Sequence, residues 1–189
     1  MGFFGKLFGN GKQNSDFFES DILMNEDKFW GIIDNTLKSS NGDYEIQQQK
    51  LEKALKSLEL QEIIEFDNRF RELRGKSYSW ELWGAIYIIN GGCGDDSFDY
   101  FRGWVISQGK EFYNKTIKNP KTLIDLKIDI TEIDWEGISY VASTVFEKLT
   151  KQEIPSTFNE NREIAGFDWE EEDLKNMFPE LTEKYPDNV

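Results

Sequence analysis

The sequence predicts a mainly α-helical protein, a single compact multi-helix domain with room for one or two short strands. Apolar side chains recur at the i, i+3, i+4 spacing of amphipathic helices along most of the chain. Turn sequences rich in glycine, asparagine and proline separate these segments. Of the 189 residues, 38% are hydrophobic and 15% aromatic, a composition that indicates a folded core.

Three helices are predicted in the first part of the chain. The first lies in "MNEDKFWGIIDNTLKSS", with Asn25 as its N-cap and the acids Glu26 and Asp27 in its first turn. The turn "SSNGD" separates it from a second helix in "YEIQQQKLEKALKSL". A third is predicted in "LQEIIEFDNRFREL", and its outward residues are Asp67, Arg69 and Arg71.

A buried central helix is predicted in "SWELWGAIYIIN", because this segment has no polar face and the pair Gly91-Gly92 follows it. The next helix is predicted to present on one face Phe98, Phe101, Val105 and Phe112. "KNPKTL" reads as a turn. An alternating patch, "IDITEIDW", precedes a helix in "ISYVASTVFEKLT", and a peripheral helix in "WEEEDLKNMF" is predicted to stop before Pro179.

The domain organisation expected from these segments is a flexible leader over residues 1–23, a helical domain over 24–185 and a tail over 186–189. Apolar residues and two lysines in the leader leave a weak membrane or partner contact as the alternative interpretation. No apolar run approaches the roughly 20 residues that a membrane span needs.

The composition excludes several classes of site. The chain has no histidine, so Ser-His-Asp and Cys-His catalysis and imidazole-zinc sites are excluded. The single cysteine, Cys93, excludes an internal disulfide and fits a reducing, cytoplasmic setting. We expect no cofactor and no metal. A net charge of −14 opposes nucleic-acid binding and favours a basic protein partner.

The segment "NGGCGDDSFDYFRGW", residues 90–104, has a structural interpretation as a corner between two helices. Gly91 or Gly92 would adopt the left-handed conformation that ends a helix. The next helix would be capped by Asp95, Asp96 or Ser97, with the spacing of Asp96 and Asp99 resembling a capping box. Asp99 and Arg102 would pair three residues apart, and Gly103 would allow two helices to approach closely.

The same corner has a functional interpretation. Three crowded carboxylates, Asp95, Asp96 and Asp99, are candidate acid/base groups, with Arg102 holding an anionic substrate. Binding of Mg²⁺ or Ca²⁺ is a weaker alternative, since the spacing fits no calcium loop. Cys93 is more simply a half-buried turn residue than a nucleophile, because no histidine can activate it. The candidate binding residues are Trp83, Tyr87, Asn90, Cys93, Tyr100, Trp104 and Gln108.

The run "WELWGAIYIINGGCGDDSFDYFRGWVISQGKEFY" resembles the signature of an uncharacterised bacterial family known as a domain of unknown function. Its pattern is WGAxYxINGGCxDDxFxYFRGWxIxQG, and the resemblance extends from about Met24 to about Tyr185. It implies a predominantly helical fold and carries no activity with it. The signature positions it draws attention to are Asp95, Asp96, Asp99, Arg102 and Gln108.

Three functions compete at this point. The favoured hypothesis is a non-catalytic acidic binding protein for a basic protein partner, such as an immunity-type antidote to a cationic toxin or a regulator. The second is a small enzyme that uses the aspartate cluster with Arg102 for acid/base or metal-assisted hydrolysis. The third is a sensor that binds a small ligand between the aromatic residues. The oligomeric state stays open.

Overall fold

The structure is a computed structural model that describes residues 21–126, 136–155, 158 and 163–188. Within these ranges the chain is helical and forms no β-sheet, which confirms the predicted mainly α fold. The α-helices are α1 (Glu26–Ser40), α2 (Tyr44–Leu55), α3 (Leu60–Lys76), α4 (Trp80–Asn90), α5 (Asp95–Ser107), α6 (Gly109–Lys118), α7 (Glu136–Ser139), α8 (Val141–Thr150), α9 (Leu174–Met177) and α10 (Pro179–Lys184). Short 3-10 helices span Pro120–Asp125 and Glu171–Asp173.

The first helices begin where side chains can satisfy their free N–H groups. The Asn25 side chain accepts a hydrogen bond from the backbone N–H of Lys28 at 3.1 Å, so the predicted N-cap of α1 is confirmed. The Asp43 carboxylate accepts one from the N–H of Ile46 at 2.9 Å and caps α2. These bonds pair donors that the first turn of a helix leaves without an intrahelical partner.

The core is one cluster of buried apolar side chains, and α3 packs within it against α1, α5 and α8. The prediction that Asp67 points outward from α3 is wrong, since Asp67 is only 4% exposed. Its carboxylate accepts a hydrogen bond from Arg71 Nε at 2.7 Å. The arginine one turn later supplies the charge that allows this carboxylate to be buried.

Three predicted helices are divided. The helix predicted in "ISYVASTVFEKLT" breaks at Tyr140 between α7 and α8. The helix predicted to carry both Phe98 and Phe112 is broken into α5 and α6 at Gly109, whose φ of 90° only glycine adopts readily. The helix predicted in "WEEEDLKNMF" consists of the 3-10 helix Glu171–Asp173 followed by α9. It stops before Pro179, as predicted. Pro179 is itself the first residue of α10, a position that tolerates proline because a backbone N–H in the first turn has no partner within the helix.

Two sequence predictions fall largely outside the described residues. One is the leader, of which residues 1–20 are not described, and the other is the alternating patch of residues 128–135. Among the helices of the described ranges, none has the length and apolar character to cross a membrane.

The C-terminal segment, residues 163–188, forms hydrogen bonds at both ends of α4. At the start of α4, Ala165 exchanges backbone hydrogen bonds of 2.9 Å with Tyr78 and Trp80. At its end, Asn188 Nδ2 donates to the carbonyl of Ile88 at 2.8 Å. This last bond pairs a carbonyl that the end of a helix leaves free. The segment therefore lies alongside α4 and brings its own side chains to the same surface.

Candidate functional site

The corner between α4 and α5 is built mainly from backbone. Gly91 has φ 65°, and the N–H of Gly92 donates to the carbonyl of Tyr87 at 2.9 Å, so the predicted left-handed end of α4 is confirmed. The predicted side-chain cap of α5 is wrong: the N-cap is Gly94, and no side chain caps the helix. Asp95 and Asp96 lie exposed in the first turn, where the helix dipole favours negative charge without a capping bond.

Asp99 binds two arginines instead of closing a capping box. Its Oδ1 lies 2.6 Å from Arg102 Nη2 and its Oδ2 lies 3.2 Å from Arg74 Nη1, which confirms the predicted pair of Asp99 and Arg102. The Arg102 side chain is only 9% exposed, and its Nη1 donates to the carbonyl of Arg74 at 2.7 Å. Arg102 therefore joins the end of α3 to α5. The functional interpretation expected its guanidinium to hold a substrate anion, whereas in the structure it binds groups of the protein itself.

The guanidinium of Arg102 also stacks on aromatic rings. Its Cζ lies 4.5 Å from the ring centroid of Tyr78 and 5.2 Å from that of Phe98. Arginine is favoured in this position because its planar, weakly hydrated cation is attracted to the electron-rich ring faces. One arginine cation is thus already packed on aromatic rings beside the corner.

Cys93 lies half-buried in the corner. Burial, together with the nearby charge of Asp95, raises the pKa of its thiol to about 12. Its backbone carbonyl accepts a hydrogen bond from Trp83 Nε1 at 2.8 Å. A thiol that stays protonated at neutral pH is a poor nucleophile, so these observations support the turn-residue interpretation.

A row of stacked aromatic side chains begins beside this corner. Trp83 stacks on Phe98 at 4.8 Å between ring centroids and on Trp80 at 5.5 Å. Trp169, from the C-terminal segment, meets Trp80 edge-on at 5.9 Å and Tyr87 at 5.3 Å. The Trp169 indole N–H donates to the carbonyl of Trp80 at 2.7 Å, which fixes the orientation of its ring.

Carboxylates flank this row. Residues 81–99 hold four acids and residues 163–173 hold six, and neither stretch contains a lysine or arginine. Glu171 accepts a hydrogen bond from Tyr87 Oη at 3.4 Å, and partial burial together with this carboxylate raises the pKa of Tyr87. We call this surface the acidic aromatic face. Its half-buried rings are Trp80, Trp83, Tyr87 and Trp169, and its exposed acids are Asp95, Asp96, Asp168, Glu170, Glu171, Glu172 and Asp173.

The structure brings together only part of the predicted binding set. Trp83, Tyr87 and Cys93 belong to the acidic aromatic face or border it. Asn90 also lies at the corner, where its Nδ2 donates to the carbonyl of Gly92 at 2.9 Å.

The remaining three predicted binding residues lie elsewhere. Trp104 is 1% exposed and packs in the core against Phe101 and Phe112. Tyr100 faces α7, where its hydroxyl donates to Glu136 at 3.2 Å. Gln108 ends α5, about 20 Å along the helix from its first turn. These three side chains therefore do not share a surface with the acidic aromatic face.

Two residues of the face were absent from the predicted binding set. Trp80 had a local signal, because Trp80, Trp83 and Tyr87 recur at i, i+3 and i+7 and so share one side of α4. Trp169 had none, since it lies far along the chain and reaches α4 only through the tertiary fold.

The described residues contain no group of three or more acids or thiols arranged to hold a metal ion. The three corner aspartates do not converge on a shared point, because Asp99 is held by Arg74 and Arg102.

Comparison with known proteins places most of the chain in one family. The family model described as Protein of unknown function (DUF4240) matches residues 24–148. The match begins at the residue where the sequence resemblance begins and ends well before Tyr185. No curated protein and no solved structure matches the chain.

Proposed function

The chain belongs to the DUF4240 family, whose description assigns no activity, and we propose from its surface that it is an acidic binding protein for a basic protein partner. The observation that carries this proposal is the acidic aromatic face. Stacked rings of α4 and of the C-terminal segment lie there, with exposed carboxylates in the corner and in the same C-terminal segment.

This surface has the chemistry that arginine and lysine side chains seek. Aromatic ring faces attract cations, and the attraction grows where the cation is partly desolvated. Carboxylates around the rings supply ion pairs and discriminate against acidic partners. The stacking of Arg102 on Tyr78 and Phe98 is an internal example of the contact that we expect an incoming arginine to make.

The wider charge distribution supports the same partner. A net charge of −14 steers a basic protein toward the chain and raises the association rate at low ionic strength. Phe167, at 91% exposure, projects between Ala165 and Trp169, which both contact the α4 region. A partner that covers this ring would add apolar burial to the ion pairs. An immunity-type antidote or a regulator of a cationic protein would use such a surface.

Binding of a labelled deca-arginine peptide, measured by fluorescence anisotropy, tests this proposal. We expect deca-arginine to bind more tightly than deca-lysine at equal salt, because the guanidinium stacks on aromatic rings. Replacement of three face acids by Glu170→Gln, Glu171→Gln and Glu172→Gln should weaken binding about tenfold, as three exposed ion pairs are lost.

A charge-matched variant provides the control. Glu45→Gln, Glu147→Gln and Glu153→Gln remove the same charge from exposed positions on α2, α8 and the segment that follows α8. We expect this variant to bind within about twofold of the parent protein, since only long-range steering is reduced. Equal weakening in the two variants would show that deca-arginine responds to net charge alone, and the proposal would fail.

A further inference from the structure

A groove between α1 and α2 differs in charge from the acidic aromatic face. It has a volume of about 460 Å³ and is lined by ten residues, three of which are lysines and none of which is an acid. The whole chain carries 36 acids and 22 bases, so a lining without a carboxylate departs from its average surface. The volume lies within the range of small-molecule sites.

The floor of the groove is apolar and kept open by a glycine. Ile32 of α1 and Ala54 of α2 line this floor together with Gly31, which lies inside α1. A Cβ added at Gly31 would meet no atom within 4 Å, so packing does not require a glycine there. Glycine inside a helix costs about 0.5–1 kcal/mol relative to alanine. Its presence leaves space that alanine or a larger residue would occupy.

The lysines stand along the sides of this floor. Lys28 lies near one end, where it pairs with Glu62, and Lys50 near the other, where its ammonium donates to the carbonyl of Ser39. Lys53 lies one turn from Lys50 on the same side of α2. Because Lys28 and Ser39 are eleven residues apart on α1, the groove is elongated over about 16 Å.

We propose that this groove binds a small anionic amphiphile, an elongated molecule with an apolar chain and a terminal carboxylate. The chain lies over Gly31, Ile32 and Ala54, and the carboxylate pairs with Lys50 and Lys53. The lysines select the anion, and the apolar residues of the floor select the chain. This site is separate from the acidic aromatic face, and the proposal for it does not depend on the function proposed for that face.

An NMR titration with octanoate tests the proposal on the full chain. We expect saturable shifts of the amide signals of Gly31, Ile32 and Ala54, with a dissociation constant in the millimolar range for so small a ligand. Acetate lacks the chain and 1-octanol lacks the charge, so each should bind at least about tenfold more weakly. Equal binding of 1-octanol and octanoate would contradict the assigned role of the lysines.

Matched variants locate the two parts of the ligand. Lys53→Gln should weaken octanoate binding about fivefold, the equivalent of about 1 kcal/mol for an exposed ion pair, whereas Lys38→Gln on the same hairpin but outside the groove should not. Gly31→Leu should abolish binding by filling the floor, and Gly31→Ala should retain most of it. Both variants favour the helix, and circular dichroism of each shows whether a loss confined to leucine occurs in the folded protein.

Two results would overturn the proposal. One is octanoate binding that survives Gly31→Leu unchanged. The other is a shift of the α1 and α2 amide signals with protein concentration alone, because a second copy of the chain would then occupy the groove.

Discussion

The acidic aromatic face and the groove between α1 and α2 are built in opposite ways. In the face, rings stack on one another and two indole N–H groups are tied to backbone carbonyls at 2.8 and 2.7 Å. In the groove, the floor is left open at Gly31 and the walls are long, partly exposed lysines. The net charge of −14 is a sum over the whole chain and gives no sign of the three lysines that line the groove.

Because of this difference, we expect the two regions to respond differently to mutation. A surface whose side chains hold one another loses stability when a member is removed or enlarged. An open groove loses little, and it gains stability where a substitution improves the helix. Substitutions of the same type in both regions therefore test the comparison.

The largest difference in the free energy of unfolding is expected between variants of two cations, Arg102 beside the acidic aromatic face and Lys53 in the groove. Arg102→Met should lower the free energy of unfolding by about 3 kcal/mol, because a nearly buried guanidinium loses its bonds to Asp99 and the Arg74 carbonyl. Lys53→Met should change it by less than about 0.5 kcal/mol, as most exposed substitutions do. Urea unfolding followed by circular dichroism measures both. A loss below about 1 kcal/mol for Arg102→Met would contradict its structural role.

The next contrast is between two glycines inside helices. A Cβ at Gly84 would lie 2.9 Å from Leu174 Cδ2 and 3.2 Å from Trp169 Nε1, so Gly84→Ala should destabilise the protein by about 1 kcal/mol or more and disturb the Trp169 ring. Gly31→Ala should instead stabilise it by about 1 kcal/mol through helix propensity. Thermal and urea unfolding give the two signs, and the same sign for both variants would remove the distinction between the regions.

The smallest expected effect is on the pKa of the Cys93 thiol, which borders the acidic aromatic face. Cys93 has a pKa raised to about 12, so its thiolate fraction should still increase as the pH rises from 8 to 11, where an ordinary thiol with a pKa near 9 levels off. Asp95→Asn should lower this pKa and speed alkylation by iodoacetamide at pH 9, because a nearby negative charge opposes the thiolate.

Asp96→Asn makes the same charge change next to Asp95 and serves as the control. We expect it to leave the alkylation rate close to that of the parent protein. If both variants had the same rate as the parent, the nearby carboxylate would not contribute to the raised pKa of Cys93.

Local patterns in the sequence predicted much of the fold. The Asn25 cap, the left-handed Gly91 and the pairing of Asp99 with Arg102 each depend on residues within a few positions of one another. Tertiary contacts decided the rest. The pairing of Asp99 with Arg74, which lies 25 residues away, takes the carboxylate from the predicted capping box, and Gly109 divides a helix whose apolar spacing continues across it.

The candidate sites were less accessible to prediction than the fold. Trp83 and Tyr87 are near neighbours on one helix, and Trp169 joins this helix from the other end of the chain. Trp104 was included as a possible wall of a ligand pocket, but it is buried in the core, the simpler of the two interpretations of its aromatic pair with Tyr100. The groove was missed entirely, because its lysines come from two helices and a net charge of −14 gives no sign of them.

A pair of NMR titrations on one sample, with deca-arginine and with octanoate, tests most directly whether the chain carries two separate binding sites. We expect deca-arginine to shift the indole signals of Trp83 and Trp169 and to leave the amide signals of Gly31 and Ala54 in place, and octanoate to do the reverse. Shifts from deca-arginine spread evenly over the acidic surface, or shifts from both ligands in the same region, would contradict the claim that the chain carries two separate sites of opposite charge.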